Sequence, residues 1–113
     1  MRANRLKEVE ALKTKPARRL IHLLTFGNLW LYILSLIKTK KKVYGYSLDH
    51  EIEKEFLFKP NKIMLYIVLY KLEDEKLIKA AFEERRKYYT LTEKGENMLR
   101  FGKNYLSTLA KKL

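Results

Sequence analysis

Lys62, Tyr66 and Tyr70 recur at four-residue spacing, which on a helix lines one ammonium and two phenols along a single stripe. A stripe of this kind binds rather than catalyses. The ammonium suits a phosphate or a guanine edge, the hydroxyls suit phosphate, and the rings suit thymine methyl groups. The alternative is that both rings pack along the helix margin. Arg85 and Arg86 stand side by side in a charged turn. Guanidinium groups there fit phosphate or a narrow minor groove, the alternative being surface ion pairs with Glu83 or Glu84. A third basic group, Lys38, Lys40, Lys41 and Lys42, closes an apolar run. It reads either as phosphate-contacting or as the solvated end of a buried helix.

Reactive chemistry is hard to assemble from the remainder. His22 and His50 are the only histidines and there is no cysteine, so thiolate chemistry, disulfides and two-histidine metal spacing are excluded. There is no Ser/His/Asp arrangement and no phosphate-cradling glycine loop. Asp49-His50-Glu51 with Glu53 reads as an exposed helix face, not as a metal set. The expectation is no enzyme, no metal and no cofactor.

The elements that must position these residues follow from periodicity. Leu6, Val9 and Leu12 recur at helical spacing before Pro16 resets the chain, and residues 17–26 continue as a second short helix. Gly27-Asn28 marks a turn. The run 29–37 is apolar nearly all round, which predicts a helix buried on most sides. A turn at Tyr44-Gly45-Tyr46 precedes a helix capped by Ser47 or Asp49, with Leu48, Ile52 and Phe56 inward. Lys59-Pro60-Asn61 opens the next helix, from Asn61 to about Glu75, whose inward stripe is Leu65, Leu69 and Leu72. The period then changes from 3.6 to 2. Ile78, Ala80 and Phe82 alternate with polar or small residues, and 87–91 is aromatic and β-favouring, which predicts a β-hairpin with a charged tip. Thr92 caps a last helix with Glu93 at its positive end.

The predicted fold is mainly α with a small β-hairpin, a winged helix-turn-helix with N- and C-terminal flanking helices. Its parts are a basic helical extension over 1–26, the winged domain over 27–92 and a C-terminal dimerisation helix over 93–113. The apolar face of that last helix (Met98, Gly102, Tyr105, Leu106, Leu109 and Leu113, with Leu99 alongside) exceeds what a flanking helix needs, and Gly102 allows close helix approach, so a homodimer is expected. The alternative is packing on its own domain.

Charge agrees with an anionic partner. Twenty-five Lys and Arg against thirteen Asp and Glu give +12, and residues 1–42 alone hold eleven basic and two acidic side chains. The run 20–37 tests as a membrane span by length, but its interior turn and the cations at both ends argue against one, and no cleavable leader is evident. An intracellular, cytoplasmic protein without a membrane partner is expected. The absence of Gln beside abundant Lys and Glu matches the composition of hyperthermophile proteins.

Four segments together resemble the PadR-like transcriptional regulators, over about residues 27–100. They are Gly27-Asn28-Leu29-Trp30-Leu31-Tyr32-Ile33-Leu34, Tyr44-Gly45-Tyr46, Tyr66-Ile67-Val68-Leu69-Tyr70-Lys71-Leu72-Glu73, and Arg86-Lys87-Tyr88-Tyr89-Thr90-Leu91-Thr92-Glu93-Lys94-Gly95. The resemblance is to the archaeal members. It implies a first core helix, a helix-opening turn, a recognition helix and a wing, with dimerisation through the C-terminal helix. Ser47 stands where the family commonly has Glu, and Lys76 where it has Gly. The family's longer C-terminal effector region is reduced here to one helix, so a small-molecule effector is unsupported, although Trp30 and Tyr32 could line a cavity in a dimer. The candidate double-stranded DNA contacts are Lys40, Lys41, Lys42, Tyr46, Lys59, Asn61, Lys62, Tyr66, Tyr70, Arg85, Arg86 and Lys87. The expected function is sequence-specific transcriptional regulation as a homodimer. The alternatives are a low-specificity architectural DNA-binding protein and, from another class, a protein-interaction module.

Overall fold

Helix α3, Leu29–Lys40, is the axis around which the other elements are arranged. Its sequence is apolar on nearly every face, and Leu29, Ile33, Leu34, Leu36 and Ile37 are all buried. Each such side chain contributes roughly 1.5–3 kcal/mol by leaving water. The computed structural model describes residues 2–113, with side chains from residue 7 onward; the side chain of Leu6 falls outside that range.

Two helices precede α3. Helices α1 (Arg2–Leu12) and α2 (Lys15–Leu24) are separated where Thr14 accepts a hydrogen bond from the Ala17 amide and Pro16 occupies the first turn. A 3₁₀ turn, Phe26–Asn28, then redirects the chain, and Asn28 donates its side-chain amide to the Leu23 carbonyl at 2.6 Å. That turn interrupts the stretch Lys15–Lys40, which by length and apolarity alone could cross a membrane. The α3 half of it is spent on the core instead.

After α3 the chain makes strand β1 (Lys42–Tyr44), a 3₁₀ turn (Gly45–Ser47) and helix α4 (Leu48–Phe56). Helix α5 follows over Lys62–Asp74, then strands β2 (Ile78–Glu83) and β3 (Arg86–Leu91) and helix α6 (Glu93–Lys112). The sheet has three strands in the order β1-β3-β2, all antiparallel, with Val43 opposite Tyr89 and Ile78 opposite Leu91. The sequence predicted only the hairpin. The third strand is a three-residue segment at the end of the lysine run, and Lys42 belongs to it rather than to the helix end.

Side chains from every layer meet in one core: Val43, Leu48 and Ile52, then Leu65, Leu69 and Leu72, then Leu77, Ile78, Tyr89 and Leu99 around α3. Three helices followed by a β-wing is the winged helix-turn-helix arrangement, as predicted.

The junctions that lock the wing are specific. Helix α5 ends with Lys76 at φ 65, the Leu77 amide bonded to the Leu72 carbonyl and the Lys76 amide to that of Glu73. This is a Schellman closure made without the usual glycine, sealed by the buried pair Leu72 and Leu77. Thr92 then caps α6 by accepting from the Gly95 amide, while its hydroxyl reaches the Lys76 carbonyl at 2.7 Å and its amide reaches the Leu77 carbonyl. Gly95 is buried so closely against that junction that a Cβ there would stand 2.1 Å from the Leu77 carbonyl oxygen.

Candidate DNA interface

Helix α5 is positioned by its two ends and by one face. Asn61 accepts a hydrogen bond from the Met64 amide at 2.8 Å and so caps the N-terminus, and buried Pro60 fixes the entering chain. Leu65, Leu69 and Leu72 turn into the core. The opposite face is therefore delivered to solvent: Ile63, Tyr66, Ile67 and Tyr70 are all exposed there, Tyr70 by 71%. Tyr66 and Tyr70 lie on that face, away from the core stripe.

Lys62 behaves differently from the sequence expectation of an outward cation. Its ammonium lies 3.2 Å from the Asp49 carboxylate and donates to the Tyr46 carbonyl at 2.7 Å, over the Tyr46 ring. Asp49 itself is only 2% exposed, so the reading of 49–53 as an open helix face fails at its first residue. Burial pushes the Asp49 carboxyl upward, but the Lys62 ammonium and the His50 amide outweigh it, holding the group below the ordinary carboxylate range. Ser47 takes the predicted N-cap position of α4, but its hydroxyl turns back to the Tyr44 carbonyl instead of capping the helix, and Asp49 accepts from its neighbour His50.

The wing assembles a second group. Glu84 and Arg85 form its tip, with φ 50 and 68, the left-handed backbone that a two-residue hairpin loop demands. Arg86 lies over the Tyr44 ring at 5.3 Å, and Tyr44 in turn stands 5.6 Å from Tyr88 and 5.9 Å from Tyr46. Lys42 joins this group from β1, paired with Glu83 and 4.8 Å from the Tyr88 ring. The Glu83 hydrogen bond raises the Lys42 pKa. Tyr44 and Tyr88 are not among the DNA contacts expected from the sequence. The cross-strand register that brings them together, Tyr44 opposite Tyr88, depends on the unpredicted strand β1.

The remaining candidates fall around this surface. Lys87 sits beside Glu73, 3.8 Å away, and near the Tyr89 ring, whose hydroxyl is driven upward in pKa by burial. Lys40 approaches Glu51 at 3.9 Å, Lys41 occupies a left-handed turn at φ 74, and Lys59 is exposed before α5. The lysine run is thus divided between a helix end and a strand. Ion pairs of this exposed kind hold about 0–1 kcal/mol, so phosphate competes for these cations easily. Among the described residues, no three His, Asp or Glu side chains converge as metal ligands.

The sequence profile of the PadR-like transcriptional regulators matches residues 33–100, which takes in α3, the α4–α5 pair, the wing and the start of α6. The chain belongs to the PadR-like family. By sequence alone, no curated protein matches it. Among solved structures, it is similar to a PadR-like transcriptional regulator of Bacillus cereus strain ATCC 14579, with 28% identity, a TM-score of 0.69, and 80% of this chain and 90% of that one covered. It is also similar to a PadR family regulator of Clostridium difficile R20291, with 27% identity, a TM-score of 0.66, and 73% and 90% covered. F93 from STIV, a winged-helix DNA-binding protein, shares the fold at 22% identity and TM-score 0.66, with 73% and 89% covered.

Within this PadR-like frame the two departures noted in the sequence acquire locations. Lys76 supplies the left-handed residue closing α5 where glycine is usual, and Ser47 ends the 3₁₀ turn that leads into α4. The six residues assigned to a dimer face divide. Met98 packs against the chain's own core, and Gly102 is buried where a Cβ would come within 2.9 Å of Leu31 and 3.0 Å of Trp30. The close helix approach that Gly102 permits is therefore to α3 of the same chain. Tyr105, Leu106, Leu109 and Leu113 remain exposed. Tyr105, Leu106 and Leu109 border an apolar groove with Leu24, Trp30, Leu31 and Tyr32, and the apolar residues Leu20, Ile21 and Leu23 of α2 are exposed as well. Trp30 is anchored by its indole N–H donating to Asn28.

Proposed function

We propose that this PadR-like regulator binds duplex DNA with sequence preference, as a homodimer, and controls transcription by occupying a pseudo-palindromic site. The observation that carries the reading is the exposed face of α5, set beside a wing tipped by Arg85 and flanked by Lys59, Lys42 and Arg86. A helix of this diameter enters a major groove with its N-terminal turns nearest the bases, while the wing lies over the backbone. The net charge of +12 supports the same partner. Neighbours in fold include one described as a winged-helix DNA-binding protein.

Dimerisation is supported by the apolar surface of α2 and α6 that the protomer leaves uncovered, centred on Tyr105, Leu106 and Leu109. Two such heads place half-site centres about 34 Å, one DNA turn, apart.

The test is selection of bound duplexes from a random pool, followed by titration of the selected site over a range of salt. A recurrent pseudo-palindrome is expected, with log K falling linearly with log salt. Replacing Arg85 and Arg86 by Ala should lower that slope by about 0.9 for each phosphate left without its cation, equally for all sequences. Recovery of no common motif, with affinity alike for every duplex, would leave an architectural role in place of a regulatory one.

A further inference from the structure

The outward line of α5 is unusual for a surface that meets a polyanion. Ile63, Ile67 and Tyr70 stand at i, i+4 and i+7, opposite the buried Leu65, Leu69 and Leu72. Ile63 is 75% exposed on the first turn, the part of such a helix that penetrates deepest. From Ile63 to Tyr70 the segment carries no charge and no amide side chain. The one cation at its start, Lys62, is turned aside to Asp49 and the Tyr46 carbonyl, and the Asn61 side-chain oxygen is committed to the Met64 amide.

Base edges differ in what they ask of such a face. Guanine is matched by Arg or Lys and adenine by Asn or Gln, whereas thymine presents a methyl group that apolar side chains contact. We propose that α5 reads thymine methyl groups through Ile63 and Ile67, making the preferred site rich in A·T pairs where the helix enters the groove. This rests on the DNA-binding reading above and names the chemistry by which the site is chosen. Duplex DNA is the occupant because exposed cations accompany the apolar strip, Lys59 just before the helix and Lys71 on it, with Arg85 and Arg86 at the tip of the wing that follows, and such cations suit the phosphates that flank a groove. Tyr66 and Tyr70, exposed alongside, offer hydroxyls to those phosphates.

The experiment uses the full chain and its selected duplex, with every thymine in one copy replaced by uracil. Uracil keeps the base pair and the O4 acceptor and lacks only the methyl. Specific affinity should fall about fourfold for each methyl touched by an isoleucine, the scale of one buried carbon, while a duplex of unrelated sequence shows no change. Ile63→Ala and Ile67→Ala, both at exposed positions, should bind the thymine site more weakly and lose discrimination between thymine and uracil. Equal affinity for thymine and uracil sites in the unaltered protein overturns the proposal, as does discrimination that survives both substitutions. Failure to bind any duplex is a separate result: it refutes the DNA-binding reading itself, and a partner protein would then be sought for the strip.

Discussion

Adding one methyl group at Gly95 should unseat the last helix from the wing. An alanine Cβ at that position would lie 2.1 Å from the Leu77 carbonyl oxygen and 2.7 Å from Leu91 Cδ1. Ordinary packing requires more than an ångström of movement, and the nearer obstacle is backbone, which cannot rotate away. Movement of α6 also strains the bonds that fasten its first turn: the Gly95 amide to Thr92, the Thr92 hydroxyl to the Lys76 carbonyl, and the Thr92 amide to Leu77. Overpacking costs about 1–3 kcal/mol and a damaged N-cap about 1 kcal/mol, so Gly95→Ala should lose roughly 2–4 kcal/mol. At about 4 °C per kcal/mol for a chain of this size, the fall in Tm is roughly 8–16 °C. Thermal unfolding followed by circular dichroism at fixed protein concentration measures the Tm, and urea unfolding the free-energy loss, with the midpoint moving and the m-value holding. Gly27→Ala is the control, since a Cβ there meets its nearest neighbours at an ordinary 3.7 Å. A loss below about 0.5 kcal/mol for Gly95→Ala would refute the reasoning that this junction is rigid.

Asp49→Asn should lower stability at neutral pH by on the order of 1 kcal/mol, Lys62 being partly solvated, and should flatten the acid limb. A carboxyl held below its unfolded-state pKa contributes stability that is complete above that unfolded value and is lost as pH falls through the folded one. The unaltered protein should therefore shed this increment below about pH 4, and an identical acid profile in Asp49→Asn counts against the pairing. Lys76→Gly should raise the unfolding midpoint, by about 0.5–1 kcal/mol, because a left-handed residue disfavours a side chain; a decrease would mean that the Lys76 side chain has compensating partners. Leu106→Glu combined with Leu109→Glu should yield monomers by analytical ultracentrifugation with near-native circular dichroism, and an undiminished dimer would move the interface elsewhere.

The helices were legible because their signals are local. Thr92 read correctly as a cap position, Leu65, Leu69 and Leu72 as an inward stripe, and the change of period at Ile78 as a strand, while Asn61, read as the first helical residue, is the cap of α5. Strand β1 was not legible, since three residues cannot display a period and its partner β3 lies over forty positions along the chain. Asp49 was misread for a related reason: its burial depends on Lys62, thirteen residues away on another helix. On α5, apolar residues cover most of the circumference, so the correct reading of Leu65, Leu69 and Leu72 as inward did not single out Ile63 and Ile67 as the exposed line opposite them. Gly102 was recognised as a point of close approach, but its neighbour is α3 of the same chain.

Helix α6 leaves its own domain after Gly102: residues 103–113 are exposed along the whole remaining length, and the last ten helical residues reach about 15 Å. In a dimer joined through this arm, its length is a ruler that sets how far apart the two heads sit along the DNA. A single residue inserted between Gly102 and Tyr105 would swing the joining face by about 100° and put the heads out of phase. Four inserted residues would nearly restore the face and lengthen each arm by about 6 Å, close to two base-pair steps. In such a dimer, half-site spacing would be retuned by changes in arm length alone, with the groove-facing residues of α5 left as they are.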